Sequence, residues 1–457
     1  MKQNLGDEII LNIENVDSKA RGIARVDGYV VFVPGALIGE TVTAHIVEQK
    51  KHYSVAKIKS LLKASPYRVQ PRCEVYEACG GCNMQHASYD HQVKVKSSLI
   101  EDAIIRIGKW KEADIAPVIP SFLVWGYRNK AIIQARYQKG ERKLGYFARG
   151  THDVVNLKAC PILDPSINLV YANLRNAVLQ SDLSFYDEER GEGLIRNFVL
   201  RSSFSMKKIL LAWIFSREPD DRECKMISDI SNGLYEDVSP FLGGVQININ
   251  PSKGNFIWGS KTQSLFGEDV LVERFENIKF RFGVSDFFQV NVLQAFRMFE
   301  TVAELARDSK HVLELYSGVG SMTAFLASFC NDIVAVEEWR PAYESLVFNM
   351  TNNGINNVTA ICGKAEDVVK TKVSGHFDIV VVDPPRTGCH KDVLNFIGRV
   401  ISPKKVIYVS CNPATLARDS KILNEYGYNM GKAMPLDMFP QTSHVECVVL
   451  MQNVQNK

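Results

Sequence analysis

Residues 405–419, KVIYVSCNPATLARD, decide how the rest of the chain is read. Val406, Ile407, Tyr408 and Val409 form an apolar run of the length and composition of a buried strand. Ser410–Cys411–Asn412–Pro413 stops it, because Pro413 has no amide to donate and holds Asn412 out of the helical region. A thiol therefore stands where a strand ends and a loop begins. Working outward, HVLELYSGVGS (311–321), DIVAVEEW (332–339), VTAICGKAED (358–367) and FDIVVVDPP (377–385) read as further strands, with helical patterns after the first two, through Phe329 and Asn352. This alternation, from about residue 278 onward, predicts a doubly wound, Rossmann-like α/β sheet. GKAMPLDMF (431–439) and ECVVLM (446–451) are the last two strands, and the short QTSH connection between them predicts that the second runs antiparallel. Ligands of open α/β sheets bind off the carboxyl ends of the strands, where Cys411 sits.

The chain of 457 residues is long enough for two or three domains. Its net charge of +3 implies little about partners, so local clusters must be inspected instead. No apolar run reaches the length of a membrane span, and the first residues are acidic where a signal peptide needs an apolar core. A cytoplasmic protein is expected, whose ten cysteines are metal ligands or catalytic thiols rather than disulfides. GDEIILNIENV, YVVFVPG and ETVTAHIVEQ predict short strands of an oligonucleotide-binding-like barrel over residues 1–64. Its tail gathers Lys50, Lys51, Lys57, Lys59, Lys63, Arg68 and Arg72 against Glu48, either as phosphate partners or as a solvated face. Residues 65–277 form a central α+β unit, with an amphipathic connector over 90–110 and strands in IRNFVLRSSF, KILLAWIF and GVQININP. Residues 278–457 form the catalytic domain.

Within the central unit, CEVYEACGGCNMQH (73–86) places Cys73, Cys79 and Cys82 at C-x5-C-x2-C spacing, and Cys160 is the nearest later cysteine. Four thiolates suit an iron–sulfur cluster or a structural zinc; only one C-x2-C knuckle is present, which favours the cluster. WGYRNKAIIQARYQKGERKLGYFARG (125–150) interleaves Trp125, Tyr127, Tyr137, Tyr146 and Phe147 with seven cations, from Arg128 and Lys130 to Lys143 and Arg149. Rings and cations in this mixture grip single-stranded RNA; the alternative is a sheet with a buried aromatic face and a charged outer face.

In ELYSGVGSMT, Gly318 and Gly320 allow a tight first βα turn, but Thr323 stands where a dinucleotide fingerprint needs its third glycine. Glu337 ends the next strand, placed to accept from ribose hydroxyls. A nucleoside cofactor without a diphosphate fits: S-adenosylmethionine. Asp383, held by Pro384–Pro385, Cys411 and Glu446 are all expected on one sheet edge. A thiol, a carboxylate and a methyl donor together suit methylation of pyrimidine carbon 5: Cys411 adds to carbon 6, and Glu446 removes the carbon-5 proton. A base in a polynucleotide must leave its stack to reach such a site.

CEVYEACGGCNMQ, DFFQVN, ELYSGVG, DPPRTGCH, SCNPATLARD and HVEC together resemble the RNA uracil-C5 methyltransferase family, in its RumA-like, 23S rRNA branch, over nearly the whole chain. The resemblance implies an N-terminal TRAM domain, a [4Fe–4S] cluster on Cys73, Cys79, Cys82 and Cys160, and a methyltransferase domain acting on structured RNA; it implies no obligate protein partner. It places Gln289, Tyr316, Glu337 and Asp383 around S-adenosylmethionine, and names Cys411 as nucleophile and Glu446 as base; Gln289 and Tyr316 rest on the resemblance alone. Cys224, Cys330, Cys362, Cys389 and Cys447 match no catalytic role. The expected product is 5-methyluridine in 23S rRNA. Alternatives are the same reaction on tRNA, a radical enzyme using the cluster with S-adenosylmethionine, and a non-catalytic RNA chaperone.

Overall fold

The structure, a computed structural model, describes residues 4–454. Six N-terminal strands form one sheet: Glu8–Asn12 pairs with Thr41–Gln49, which pairs with Tyr53–Lys63, then Tyr29–Pro34, Arg21–Val26 and Asn15–Val16. The two-residue turn Asp27–Gly28, both at positive φ, is what a twisted hairpin demands. Leu11, Ala24, Val31, Val42 and Ile46 alternate inward to a small core. The basic tail is less free than its sequence suggests. Lys50 pairs with Glu48 at 2.8 Å, Lys59 with Glu8 at 2.7 Å, and Arg68 with buried Glu40 at 2.6 Å, carboxylates distant in sequence in the last two cases.

The central unit is a seven-stranded sheet. Its order is Lys261–Gly267, Leu242–Ile249, Ile209–Phe215, Ile195–Ser202, Lys130–Gln138, Glu141–Phe147, Val154–Asn156. Helices Pro165–Gln180 and Asp221–Val238 cover one face; the second starts with a reciprocal cap between Asp220 and Glu223. The aromatic–basic stretch folds mostly into this sheet. Tyr127 is buried and donates to the Pro440 carbonyl at 2.9 Å, Arg136 is buried, and Arg142 donates to the Leu179 and Ser181 carbonyls at 2.6 Å. For these residues the alternative of a structural sheet holds.

The methyltransferase-type sheet runs Val358–Cys362, Asp332–Glu337, His311–Leu315, Ile379–Val382, Lys405–Ser410, Glu446–Asn453, Tyr428–Leu436. The first five strands are mutually parallel, and Glu446–Asn453 inserts antiparallel between Lys405–Ser410 and Tyr428–Leu436. The strand order reverses between His311–Leu315 and Ile379–Val382, which opens a crevice at their carboxyl ends.

Two segments cross the boundaries read from the sequence. Val270–Phe275 and Ile278–Gly283 form one hairpin, so a division at 277/278 falls in its turn; Leu271, Phe280 and Phe282 share a core with the methyltransferase helices and with Leu210, Ala212 and Ile214 of the central sheet. The connector, helix Tyr89–Asp102 with its wider turn Ala103–Ile107, lies on the methyltransferase sheet, Ile100 and Ile104 packing with Tyr408, Leu416 and Val449. Helical periodicity reveals an apolar stripe but not its partner. Lys96 of this helix is fully buried and meets fully buried Asp437 at 2.5 Å. Among the described residues no helix is long and apolar enough to cross a membrane.

Removing one member of a buried ion pair strands the other charge. Lys96→Met is expected to lower stability by about 3–5 kcal/mol in urea denaturation, and Lys96→Met/Asp437→Leu to recover most of it.

Candidate active site

The crevice holds a cavity of about 590 Å³. Gln289, Tyr316, Glu337, Asp383, Cys411 and Glu446 all line it. Each is delivered by an element the sequence forms locally. Tyr316, at positive φ, opens the turn after His311–Leu315, and a Cβ at Gly318 would meet open space, so a ligand can approach the backbone there. Glu337 accepts from the Gly318 amide at 2.8 Å and the Trp339 amide at 2.7 Å, which fixes its carboxylate across the turn. Asp383 follows Ile379–Val382. Cys411 follows Lys405–Ser410, and Asn412 caps the next helix, accepting from the Ala414 amide at 3.1 Å. Ser410 pairs with Cys447 across the sheet, so the next pair in that register is Cys411 and Glu446.

The electrostatics are dominated by buried carboxyl groups. Burial pushes Glu446 well above the usual carboxylate range, and repulsion from Asp383 adds to it, while Arg386 opposes. Burial likewise raises Asp383. Like charges this close in a dry site cannot both ionise freely. Burial pushes the Cys411 thiol up to about 11, with Glu446 and Asp383 adding and Arg386 opposing. Glu446 Oε1 is buried without a hydrogen-bond partner, a lone acceptor facing substrate space.

Three lining residues escaped the sequence reading. Glu314 is raised to about 8, first by burial and then by Asp383 and Glu337. Its signal was a carboxylate inside the apolar strand HVLEL. Arg386 is the cation beside Cys411, and its carbonyl accepts from Asn412 Nδ2 at 2.9 Å. Arg128 enters from the central unit, which no local pattern shows.

None of the four proposed cluster cysteines lines this cavity. Cys73, Cys79, Cys82 and Cys160 lie within electrostatic reach of one another, and the Gly81 amide donates to Cys79 Sγ at 3.4 Å. Among the described residues no three His, Cys, Asp or Glu side chains are gathered tightly enough for a single metal ion. The donors are all soft sulfur, and an amide bonded to one of them matches how cluster sulfurs are supported. The cysteine loop is tied to the loop that leads into Glu446: the Asn83 and Met84 amides donate to the Gln441 carbonyl at 3.2 and 3.0 Å, and the Ser443 amide donates to Asn83 Oδ1 at 2.8 Å.

Residues 255–454 match the family described as tRNA (uracil-5-)-methyltransferase, and residues 2–59 match the TRAM domain. An uncharacterized RNA methyltransferase of Listeria innocua is 33% identical over 455 residues, covering 99% of this chain and 98% of its own. Another, from Clostridium tetani, is 33% identical over 445 residues, covering 96% and 95%. The chain belongs to the RNA (uracil-5) methyltransferase family. Among solved structures, Pyrococcus abyssi tRNA (uracil-54, C5)-methyltransferase in complex with S-adenosyl-L-homocysteine superposes with a TM-score of 0.77 at 25% identity, covering 97% of this chain and 100% of that one. The family's N-terminal TRAM unit and its methyltransferase fold are thus both present here.

Buried carboxyls with raised pKa favour folding at low pH and oppose it as pH rises through the folded value. Glu314→Gln is therefore expected to stabilise the protein by about 2–4 kcal/mol at pH 8, and by almost nothing at pH 4.5, in urea unfolding at both pH values.

Proposed function

We propose that this family member methylates carbon 5 of a uridine in RNA through a covalent bond between Cys411 and carbon 6. The observation that carries the reading is the convergence of Cys411, Glu446 and Asp383 on one cavity with Gln289, Tyr316 and Glu337. S-adenosylmethionine supplies the electrophilic methyl group when bound. Gln289, Tyr316, Glu337 and Asp383 would hold it: Glu337, already oriented by two amides, keeps lone pairs free for ribose hydroxyls.

The Cys411 thiol is protonated in the free site, so nucleophilicity must be switched on with substrate. Arg386 is the cation placed to stabilise the thiolate. As substrate enters, the thiol releases its proton to solvent and the sulfur adds to carbon 6; electron density moves to carbon 5 and the imide, and carbon 5 takes the methyl group with S-adenosylhomocysteine as the leaving group. Glu446 removes the carbon-5 proton, and the carbon–sulfur bond breaks with return of the thiolate. A carboxylate made a stronger base by burial suits abstraction from carbon.

The four cysteines would hold a [4Fe–4S] cluster whose contribution is structural, firming the loop that carries Asn83 against the loop that leads into Glu446. A radical mechanism would need the cluster beside the methyl donor, and the cysteines lie outside that cavity. For the substrate, 23S rRNA follows from the resemblance of the motifs, and tRNA is the second reading, favoured by the likeness to the Pyrococcus abyssi enzyme. Comparing 5-methyluridine in rRNA and tRNA from a strain lacking the protein separates them: the mark is expected to vanish from 23S rRNA, and its loss from tRNA instead establishes the second reading. RNA bearing 5-fluorouridine at the target is expected to trap a denaturation-resistant adduct with wild type and none with Cys411→Ala. Glu446→Gln is expected to accumulate methylated adduct on ordinary RNA, with turnover down at least about 100-fold; normal product release by that variant would overturn its role as base.

A sulfonium carries positive charge that its thioether product lacks. Burial raises Asp383 to about 7 and Glu314 to about 8, so their ionisation with rising pH should favour the donor over S-adenosylhomocysteine. Calorimetric titration between pH 6 and 8.5 is expected to show the affinity ratio moving toward the donor; a ratio flat with pH would contradict this electrostatic picture.

A further inference from the structure

A second cavity, of about 670 Å³, lies on the central sheet beside Gly80 and Gly81 of the cysteine loop. Its floor follows from strand periodicity. Ile133 and Ala135 face the helices, so Ile132, Gln134 and Arg136 face the other way. Ile132 is covered by the methyltransferase core, but Gln134 and Arg136 emerge beyond its edge into the cavity.

Gln134 sits opposite Asn197 on the neighbouring strand. Asn197 Nδ2 donates to Gln134 Oε1 at 2.7 Å, and both residues are more than nine-tenths buried. That bond leaves Gln134 Nε2, a donor, beside Asn197 Oδ1, an acceptor. The Gln134–Asn197 bond is the one described for either side chain, and neither remaining amide atom is among those sealed from solvent, so both are open to the cavity. A structural sheet would fill these positions with apolar residues, as it does at Ile132.

The walls supply flat surfaces and positive charge. His152 stacks on Phe147, with ring centroids 4.9 Å apart, and Phe256 stands at the rim, 81% exposed. Arg136, Arg149 and Arg196 line the cavity against Glu188 alone. Arg149 donates to the Cys82 carbonyl at 2.9 Å and Arg196 to the Asn250 carbonyl at 2.8 Å, so their charges are held in place before any ligand arrives. The ligand this arrangement fits is planar, anionic, and carries an adjacent donor and acceptor. The Watson–Crick edge of any nucleobase offers such a pair, and only when the base is unpaired.

We propose that this cavity is a second RNA site, which holds an unpaired nucleobase of the substrate between Phe256 and the Phe147–His152 stack and reads its exposed pairing edge with Gln134 and Asn197. The proposal rests on the RNA-methyltransferase reading and adds a recognition element to it. Arg128, in the lead-in to the same strand, lines the cavity with Cys411, so the two sites lie within about 20 Å along the strand. One RNA loop can present one base to each. The pocket would test whether the region around the target is single-stranded, and leave sequence identity largely unread.

The test uses the full-length protein and a fluorescein-labelled RNA 12-mer of mixed sequence, free or annealed to its complement, read by anisotropy. Single-stranded RNA is expected to bind about tenfold more tightly than duplex, and Gln134→Leu and Phe256→Ala each to remove most of that preference. Phe256 is exposed, so its variant tests the site without disturbing the sheet; S-adenosylhomocysteine binding checks the fold of both. A 4-thiouridine version of the strand, irradiated, is expected to cross-link to the peptides bearing His152 or Phe256. Cross-links confined to the Cys411 cavity, or variants that keep the wild-type preference, would overturn the proposal. The binding assay needs no methyl donor, so failure of wild type to methylate RNA would strike the catalytic reading and leave this result standing.

Discussion

The antiparallel register that pairs Ser410 with Cys447 is the constraint on which the proposed chemistry depends. A parallel strand in that place would deliver its first residue to the far edge of the sheet. Running antiparallel, Glu446–Asn453 starts where Lys405–Ser410 finishes, and its leading carboxylate arrives beside the thiol. Side chains alternate along a strand, so a slip of one residue would turn Glu446 to the other face. The register is secured from both sides: the neighbouring strand aligns Leu436 with Glu446, and Val448, Val449 and Met451 fill the two cores on either face.

The site is costly to fold. Glu314, Asp383 and Glu446 are buried around one cavity, each held above its ordinary proton affinity, with Arg386 as the nearby cation. Such a cluster is poorly satisfied alone and well matched to a cationic donor and the N–H of a uracil ring. Preorganised groups that need no reorientation during the reaction are the usual source of a large electrostatic contribution. The surrounding packing over-determines the geometry; Lys96, Tyr127 and Asn83 from three separate segments all bond to the loop 437–443 that leads into Glu446.

Much of this was readable in the chain. Apolar runs ending in SGVG, DPP and SCNP mark strand ends, and the short QTSH connection implies the antiparallel return, because these are local backbone effects. Arg128, Glu314 and Arg386 were not readable as a set, since they meet only through tertiary packing. The same holds for Arg68, whose partner Glu40 lies 28 residues away, and for the connector 89–107, whose periodicity is the same whichever sheet it covers. The aromatic–basic stretch misled in part for a related reason: composition reports rings and charges but not which face of a sheet they occupy.

The cysteine loop and the loop before Glu446 are joined at Asn83, Met84, Gln441 and Ser443, and Asn83 and Ser443 also donate to the Lys19 and Ser18 carbonyls of the N-terminal unit, so all three units meet beside the cavity. On the proposed mechanism they would hold a temporary carbon–sulfur bond that makes carbon 5 reactive, followed by loss of its proton. Following tritium from RNA labelled at carbon 5 of uridine tests that sequence most directly. One tritium released to water per methyl group gained, with no release by Cys411→Ala, is the result expected. Methyl groups gained while the label stays on the RNA, or release by Cys411→Ala at the wild-type rate, would contradict it.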